Sequence, residues 1–335
     1  MSISGATVIT PPAIGGLDDI DETLQSEIRQ LMVPLSGHGQ RIDRTLADAV
    51  PEFSRSYLQQ LIESGVVLVG GKLVSKASIK VKAGELLTIE LRPTPQSQAF
   101  KPEQMMLDIV FEDEFLSVIN KPAGLVVHPA PGNWSGTLLN GLLAKDVQAS
   151  LLPRAGIVHR LDKDTSGLMV VAKQRQTMDQ LVAMIASRDV SREYIALANG
   201  PWVGMKTLKI ENPVGRDPSN RLRMAVVDLA KTAGKPALTL VTLLDTKGQF
   251  SLVRCKLHTG RTHQIRVHMA HIGHPLVADQ TYGGSLAGAL VRQGLHACRL
   301  AFTHPATGAP MVFNMQPPPD IQLAIASIGL RYNRT

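Results

Sequence analysis

Beyond Gln98 the chain is broken into short apolar runs bounded by turn residues: Leu107 to Phe111, Leu116 to Ile119, Leu125 to His128, Leu168 to Ala172, Tyr194 to Ala198, Leu238 to Leu244 and Ser251 to Leu257. Runs of this kind, rich in Val, Ile and Leu, suit strands better than helices. Helical spacing interrupts them only at Leu138 to Ala144, Met178 to Ala186 and Thr262 to Ile272. Hairpin spacing is short and strands outnumber helices, so an α+β domain with a mixed, largely antiparallel sheet is expected over residues 104–325, with a tail over 326–335.

The first hundred residues read differently. Residues 1–35 begin with small residues and prolines and turn acidic at Asp18, Asp19, Asp21 and Glu22, the pattern of a flexible leader. Ile42, Leu46 and Ala49 then share one helical face that ends at Pro51. Ser54 can cap a second helix with Tyr57, Leu58, Leu61 and Ile62 on its apolar face and Gly65 as its stop. Val66 to Val69, a Gly70-Gly71 turn, Lys72 to Val74 and Leu86 to Leu91 follow as strands. Residues 36–92 therefore form a helix-helix-hairpin module. Its basic side chains include Arg41, Arg44, Arg55, Lys72, Lys76, Lys80 and Lys82, and residues 93–103, opening with Pro93-Thr94-Pro95, form a stiff linker.

Thirty-five Lys and Arg against 28 Asp and Glu give a net charge of +7, which permits binding to a phosphate backbone. Aromatics are only 4% of the chain, too few for a platform that stacks a run of bases, so charge and shape should dominate any nucleic-acid contact. Met1 to Gly16 carries no basic segment followed by an apolar one, and no run approaches the ~18 apolar residues of a membrane span, so a cytoplasmic protein without membrane attachment is expected. Cys255 and Cys298 are isolated, which excludes a disulfide framework or a four-cysteine zinc site.

One loop concentrates charge. Gly156-Ile157-Val158 leads into His159-Arg160-Leu161-Asp162-Lys163-Asp164-Thr165-Ser166-Gly167, and the apolar run Leu168 to Ala172 follows. A polar loop presented by rigid strands is a common seat of chemistry, although most charged loops are only solvated connections. Asp162-x-Asp164-x-Ser166-Gly167 imitates the start of a calcium loop but has Lys173 where a bidentate Glu is needed. The same Asp-x-Asp imitates a magnesium-dependent phosphotransferase of the haloacid-dehalogenase type, yet it lacks the long buried strand before the motif. Gly65 to Lys72 imitates a P-loop with the wrong spacing, and Leu73 stands where Ser or Thr is required.

A second cluster runs from Thr259-Gly260-Arg261-Thr262-His263-Gln264-Ile265-Arg266 to His274-Pro275. Ile265, Met269 and Ile272 form the buried stripe of a short helix, and Arg266, about 100° from Ile265, sits at its edge. No acidic or cysteine partner stands at ligand spacing from these histidines, so no metal is expected.

These segments, with Arg192-Glu193-Tyr194, Asn120-Lys121-Pro122-Ala123-Gly124, Leu295-His296-Ala297 and His304-Pro305, resemble the RluA-type RNA pseudouridine synthases over roughly residues 105–320. Residues 40–91 resemble the alpha-L RNA-binding module first seen in a small-subunit ribosomal protein. The resemblance implies isomerisation of uridine to pseudouridine in large-subunit (23S) ribosomal RNA or a pre-ribosomal particle, without a cofactor; a monomer with no obligate protein partner is the default expectation. It implies Asp162 as the essential catalytic carboxylate. By the same resemblance, Arg160 inserts where the flipped base was, Tyr194 stacks on the uracil, and Arg266 pairs with Asp162. Such a pairing is what a carboxylate stripped of water needs if it is to stay ionised. His159 and Asp164 are expected to shape the loop.

Overall fold

The computed structural model describes residues 7–8, 27–51, 53, 55–91, 99–130 and 133–332, and the chain divides into two compact units, Met1–Gln98 and Ala99–Thr335. In the first, β1 (Thr7–Val8), β2 (Glu27–Met32), β3 (Val67–Val69), β4 (Lys72–Val74) and β5 (Leu86–Leu91) form an antiparallel sheet in the order β1-β2-β5-β3-β4. Helices α1 (Ile42–Ala49) and α2 (Arg55–Glu63) contribute Ile42, Leu46, Leu58 and Ile62 to a core shared with Val67, Leu87 and Ile89. Val69 pairs with Lys72 across the two-residue Gly70-Gly71 turn, where both glycines have positive φ, as a tight hairpin of this twist requires.

The flexible leader expected to residue 35 ends earlier. β2 pairs with β5 along its whole length, Val33 is buried and β1 pairs with β2, so the module's sheet takes in Glu27–Met32 and Thr7–Val8. Most of the leader, the capping residue Ser54 and linker residues 92–98 lie outside the described residues. Residues 99–103 belong with the second unit: Ala99 is buried, the Asn140 side chain donates to the carbonyls of Ala99 and Lys101, and the Glu103 N–H donates to the Asn140 carbonyl.

The second unit is built on a nine-stranded sheet of β6 (Ile109–Glu112), β7 (Leu116–Lys121), β8 (Ser166–Ala172), β9 (Ser191–Asn199), β10 (Thr207–Ile210), β14 (Thr239–Lys247), β15 (Phe250–Leu257), β16 (Leu295–Thr303) and β17 (Pro310–Asn314). Its order is β10-β14-β15-β9-β16-β8-β7-β6, with β17 also on β16. Every pairing is antiparallel except β16 with β8, which run parallel at His296↔Ser166 and Ala297↔Gly167. Period-two alternation sorts β9 onto both faces. Tyr194, Ala196 and Ala198 join one core with α3 (Leu138–Lys145) and α5 (Gln264–His271), while Ile195 and Leu197 join another with α6 (Pro319–Ile328). A further core lies under α4 (Arg175–Ser187). The short strands β11 (Val214–Arg216), β12 (Met224–Val226) and β13 (Gly234–Lys235) form a separate small sheet.

Two expectations fail here. Leu125 to His128 is not a strand; it crosses the N-terminus of α3, where the Val126 and Val127 carbonyls accept the otherwise unpaired Leu138 and Leu139 N–H groups. The tail expected from residue 326 starts too early, because α6 runs to Ile328 and Leu330 is buried.

Candidate active site

The loop between Ile157 and β8 is held from both sides. Lys121, at the end of β7, is 1% exposed, and its Nζ donates to the carbonyls of Pro122, Leu125 and Lys163 at 2.8, 2.8 and 2.9 Å. Burial pushes its pKa down to about 7, with the positive charge of Arg292 adding to the shift against the pull of Asp164 and Asp162. On the other side Arg292 Nη1 donates to the Asp164 carbonyl at 2.8 Å, and Gln293 Nε2 donates to Thr165 Oγ1 at 3.3 Å. His296 Nδ1 meets Ser166 Oγ at 3.0 Å. Gly167 has φ +117° and passes so close to the Ala297 backbone that a Cβ would overlap it, which is why glycine stands where β8 meets β16.

This frame sets Asp162 with its side chain 15% exposed, beside the N-terminal turn of α5. Arg266 Nη1 donates to Asp162 Oδ2 at 3.3 Å. The other edge of the same guanidinium is spent elsewhere: Nε and Nη2 form a two-pronged bond to Asp279 at 2.7 and 2.9 Å. Asp279 is 1% exposed, and the Tyr282 ring lies under the guanidinium at 5.0 Å. Burial works against the Arg266 charge, yet the bond and charge of Asp279, then the charge of Asp162, raise its pKa well above the usual arginine value. His263 Nε2 faces the second Asp162 oxygen, Oδ1, at 3.9 Å.

Tyr194 is buried on β9, and its hydroxyl is pushed up to about 12, first by burial and then by nearby charges that include Asp162. Arg266 is thus brought onto Asp162, and Tyr194 lies within electrostatic reach of the same carboxylate. Arg160 is exposed on the same loop, and among the described residues no hydrogen bond or ion pair ties its guanidinium down. His159 shapes the loop by accepting the Val170 N–H at 3.1 Å on Nε2. Asp279 and Tyr282 escaped the sequence reading; the only signal was that a buried arginine at the edge of a helix must find an acidic partner.

Helix α5 is buried more fully than a single stripe implies, because Gln264, Arg266, Val267 and His268 are buried along with Ile265 and Met269. The Gln264 amide donates to the Leu238 carbonyl and Thr239 Oγ1, and its carbonyl accepts from Thr259 and Arg261. His268 bonds Thr239 and the Asn212 carbonyl, and His274 stacks on Trp202. Among the described residues no group of three or more His, Cys, Asp or Glu could hold a metal ion.

A carboxylate that reaches solvent, held at one oxygen by an arginine and within electrostatic reach of a buried tyrosine, can act on an electrophilic carbon beside a planar base. The sequence profile of the family described as RNA pseudouridylate synthase matches residues 116–271, and that of the S4 domain matches residues 40–87. Ribosomal large subunit pseudouridine synthase D of Neisseria meningitidis serogroup B is 49% identical over 329 residues, covering 93% of this chain and 86% of that protein. The protein of the same name from Xanthomonas campestris pv. campestris is 42% identical over 324 residues, covering 93% of this chain and 96% of its own. Among solved structures, human RNA Pseudouridylate Synthase Domain Containing 1 superposes with a TM-score of 0.51 at 26% identity, covering 64% of this chain and 84% of that one.

Proposed function

The chain belongs to the RNA pseudouridylate synthase family, and from that membership we propose that it isomerises particular uridines of large-subunit (23S) ribosomal RNA, with Asp162 as the carboxylate that acts at the sugar C1′. As an RNA pseudouridine synthase it is an isomerase: the C1′–N1 bond of uridine breaks, the base turns, and C1′ rejoins at C5. The proton lost from C5 is matched by one gained at N1, so the reaction is redox-neutral and needs no cofactor. A uridine stacked in RNA must first be flipped out, at a cost of a few kcal/mol.

The observation that carries the reading is the ion pair between Asp162 and Arg266, two residues 104 positions apart that both lie within the family-matched segment. One nitrogen of the guanidinium holds Asp162 Oδ2, and the other edge of the same plane is anchored on Asp279, which sets where that nitrogen stands. Tyr194 stacks against the flipped uracil. Arg160, exposed and untethered, fills the gap the base leaves, where a guanidinium plane can stack on bases and contact phosphate together. The S4 domain adds further RNA contacts. Among the described residues no helix is long and apolar enough to cross a membrane. The reading makes the protein a cytoplasmic monomer acting on ribosomal RNA or a precursor particle.

The test is incubation of the protein, with chelator present, with large-subunit rRNA from cells lacking it, followed by carbodiimide primer extension. Wild type should create stops at discrete uridines and Asp162→Asn none. Stops that persist undiminished with Asp162→Asn would remove this carboxylate from the chemistry.

A further inference from the structure

We propose that His263 is a positioning residue for the Asp162 carboxylate, donating from Nε2 to Oδ1 while Arg266 holds Oδ2. The inference rests on the reading of Asp162 as the catalytic carboxylate and adds a residue to it.

The Tyr282 hydroxyl is placed to set the tautomer. The Tyr282 hydroxyl oxygen accepts the Met224 N–H at 3.0 Å and lies 2.9 Å from His263 Nδ1. The phenol proton is not spent on that backbone N–H, which leaves it available to Nδ1. With Nδ1 accepting that proton, the ring's own proton lies on Nε2, the nitrogen facing Asp162 Oδ1 at 3.9 Å. That spacing is longer than a hydrogen bond and closes by a small rotation of either side chain when RNA seals the site.

The backbone is bent to the same end. His263 occupies the N-cap position of α5 with φ 56° and ψ 21°, a left-handed conformation unusual for a residue with a side chain, and its imidazole does not cap the helix. Strain of this kind persists where the surroundings over-determine it, often at functional sites. Here it turns the ring toward Asp162 and Tyr282.

The carboxylate needs a second donor because Arg266 is shared. With Nε and Nη2 given to Asp279, only Nη1 reaches Asp162, and a carboxylate held by one oxygen still swings about its last torsion. A neutral donor suits the second oxygen, since another cation would quench the reactivity that the site must keep. His263 is faced by Asp162 and Arg160 from the loop, Arg266 from α5, and Asp279 and Tyr282 from the segment after it. Burial, with Arg266 and Arg160, lowers its pKa against the pull of Asp162 and Asp279, which favours the neutral ring.

The experiment is single-turnover conversion of large-subunit rRNA by the full chain across about pH 5 to about pH 8, a span that brackets imidazole titration. His263→Leu should lower the maximal rate about 100-fold with RNA affinity unchanged. His263→Gln, whose amide places an N–H near the imidazole Nε2, should recover at least about 10-fold of that loss. Because an amide takes up no proton, the acid limb of its rate profile should also lie at lower pH than in wild type. Tyr282→Phe, which keeps the ring under Arg266 but removes the tautomer-setting hydroxyl, should fall between His263→Leu and wild type. Equal loss in Leu and Gln with an unmoved acid limb, or a wild-type rate in His263→Leu, overturns the proposal. If His263→Leu does not fold, the Gln and Tyr282→Phe profiles decide it on the same criteria. Asp162→Asn run alongside separates the layers: activity there overturns the underlying reading, whereas an inert Asp162→Asn beside a fully active His263→Leu overturns this inference alone.

Discussion

At Arg266 one guanidinium serves two carboxylates, and a lysine could not do so. Three nitrogens meet Asp279 and Asp162 in a fixed plane, so Arg266→Lys leaves a point charge that must choose between them. The buried Asp279 is the closer partner and should win it. Turnover is expected to fall by about 100-fold while RNA affinity holds, a split that single-turnover rates against filter binding would show. Near-wild-type turnover would mean that the pairing with Asp162 is incidental. Asp162, Arg266 and Tyr194 were singled out through the family resemblance of the short motifs that carry them, since charge and spacing alone left a solvated loop and a core tyrosine as open readings. Asp279 and Tyr282 were not, since Val277-Ala278-Asp279-Gln280-Thr281-Tyr282 has no helical or strand period and its partners are set by the fold. Lys121 was legible as a motif residue, but its burial under three carbonyls was not, because a lone lysine in a sequence reads as solvated.

Among the elements, the contact of β8 with β16 bears most on the site. Gly167→Ala adds a Cβ at φ +117° against the Ala297 backbone, which cannot yield without parting the strands. Strain and overpacking together should destabilise the second unit by about 3 kcal/mol or more, read as a fall in the urea midpoint. An unchanged midpoint would show that the strands part freely there. Strands β7, β8, β9, β14 and β15 stood out in the sequence as apolar runs, whereas β16, reading Leu295-His296-Ala297-Cys298-Arg299-Leu300, is interrupted by polar residues whose partners come from elsewhere: His296 from Ser166 and Arg299 from Glu193. β2 was missed because Glu27-Ile28-Arg29-Gln30-Leu31-Met32 is half polar, does not alternate strictly and follows an acidic stretch. In the first unit, the buried Asp43 gathers Arg41, Arg55 and Gln59 at 3.0, 2.9 and 2.6 Å. Burial alone would raise its pKa, but the Arg41, Gln59 and Arg55 bonds hold it far below the carboxylate range. Asp43→Asn should therefore loosen two arginines of the S4 domain and weaken rRNA binding more than the rate of the bound complex. Unaltered affinity would show that their orientation is not used.

Across the whole molecule, the histidines make stability depend on pH. Burial, reinforced by neighbouring arginines, holds His128 and His296 at about 4 and His159 at about 3. In the unfolded chain each titrates near ~6.5. The unfolded state thus binds more protons below that value, so the contribution of these groups is fully present above ~6.5 and is lost as pH falls toward 4. The urea midpoint should drop steadily between about pH 7 and about pH 5; a flat midpoint would show that these rings reach solvent when protonated. Two units joined near residue 98 also imply separable duties. Removing residues 1–98 should raise the RNA concentration needed for half-maximal rate far more than it lowers the maximal rate, and the reverse pattern would place part of the chemistry in the first unit. The division into a small helix-helix-hairpin module and a sheet domain was readable because the pattern changes sharply at Pro93-Thr94-Pro95. The sheet order was not, since it depends on pairings between residues more than a hundred positions apart.

Because β16 lies between β9 and β8, the middle of the sheet is filled by one of its last strands to be synthesised. A growing chain that has reached only residue 290 has two raw inner edges, and it lacks Arg292, Gln293 and His296, which brace the loop carrying Asp162. Closure of the sheet and bracing of the Asp162 loop therefore coincide, since both wait for the segment from Arg292 through β16. Nascent chains stalled before Leu295 should be cut readily within β8 and β9 by added protease, and chains released after Asn314 should resist.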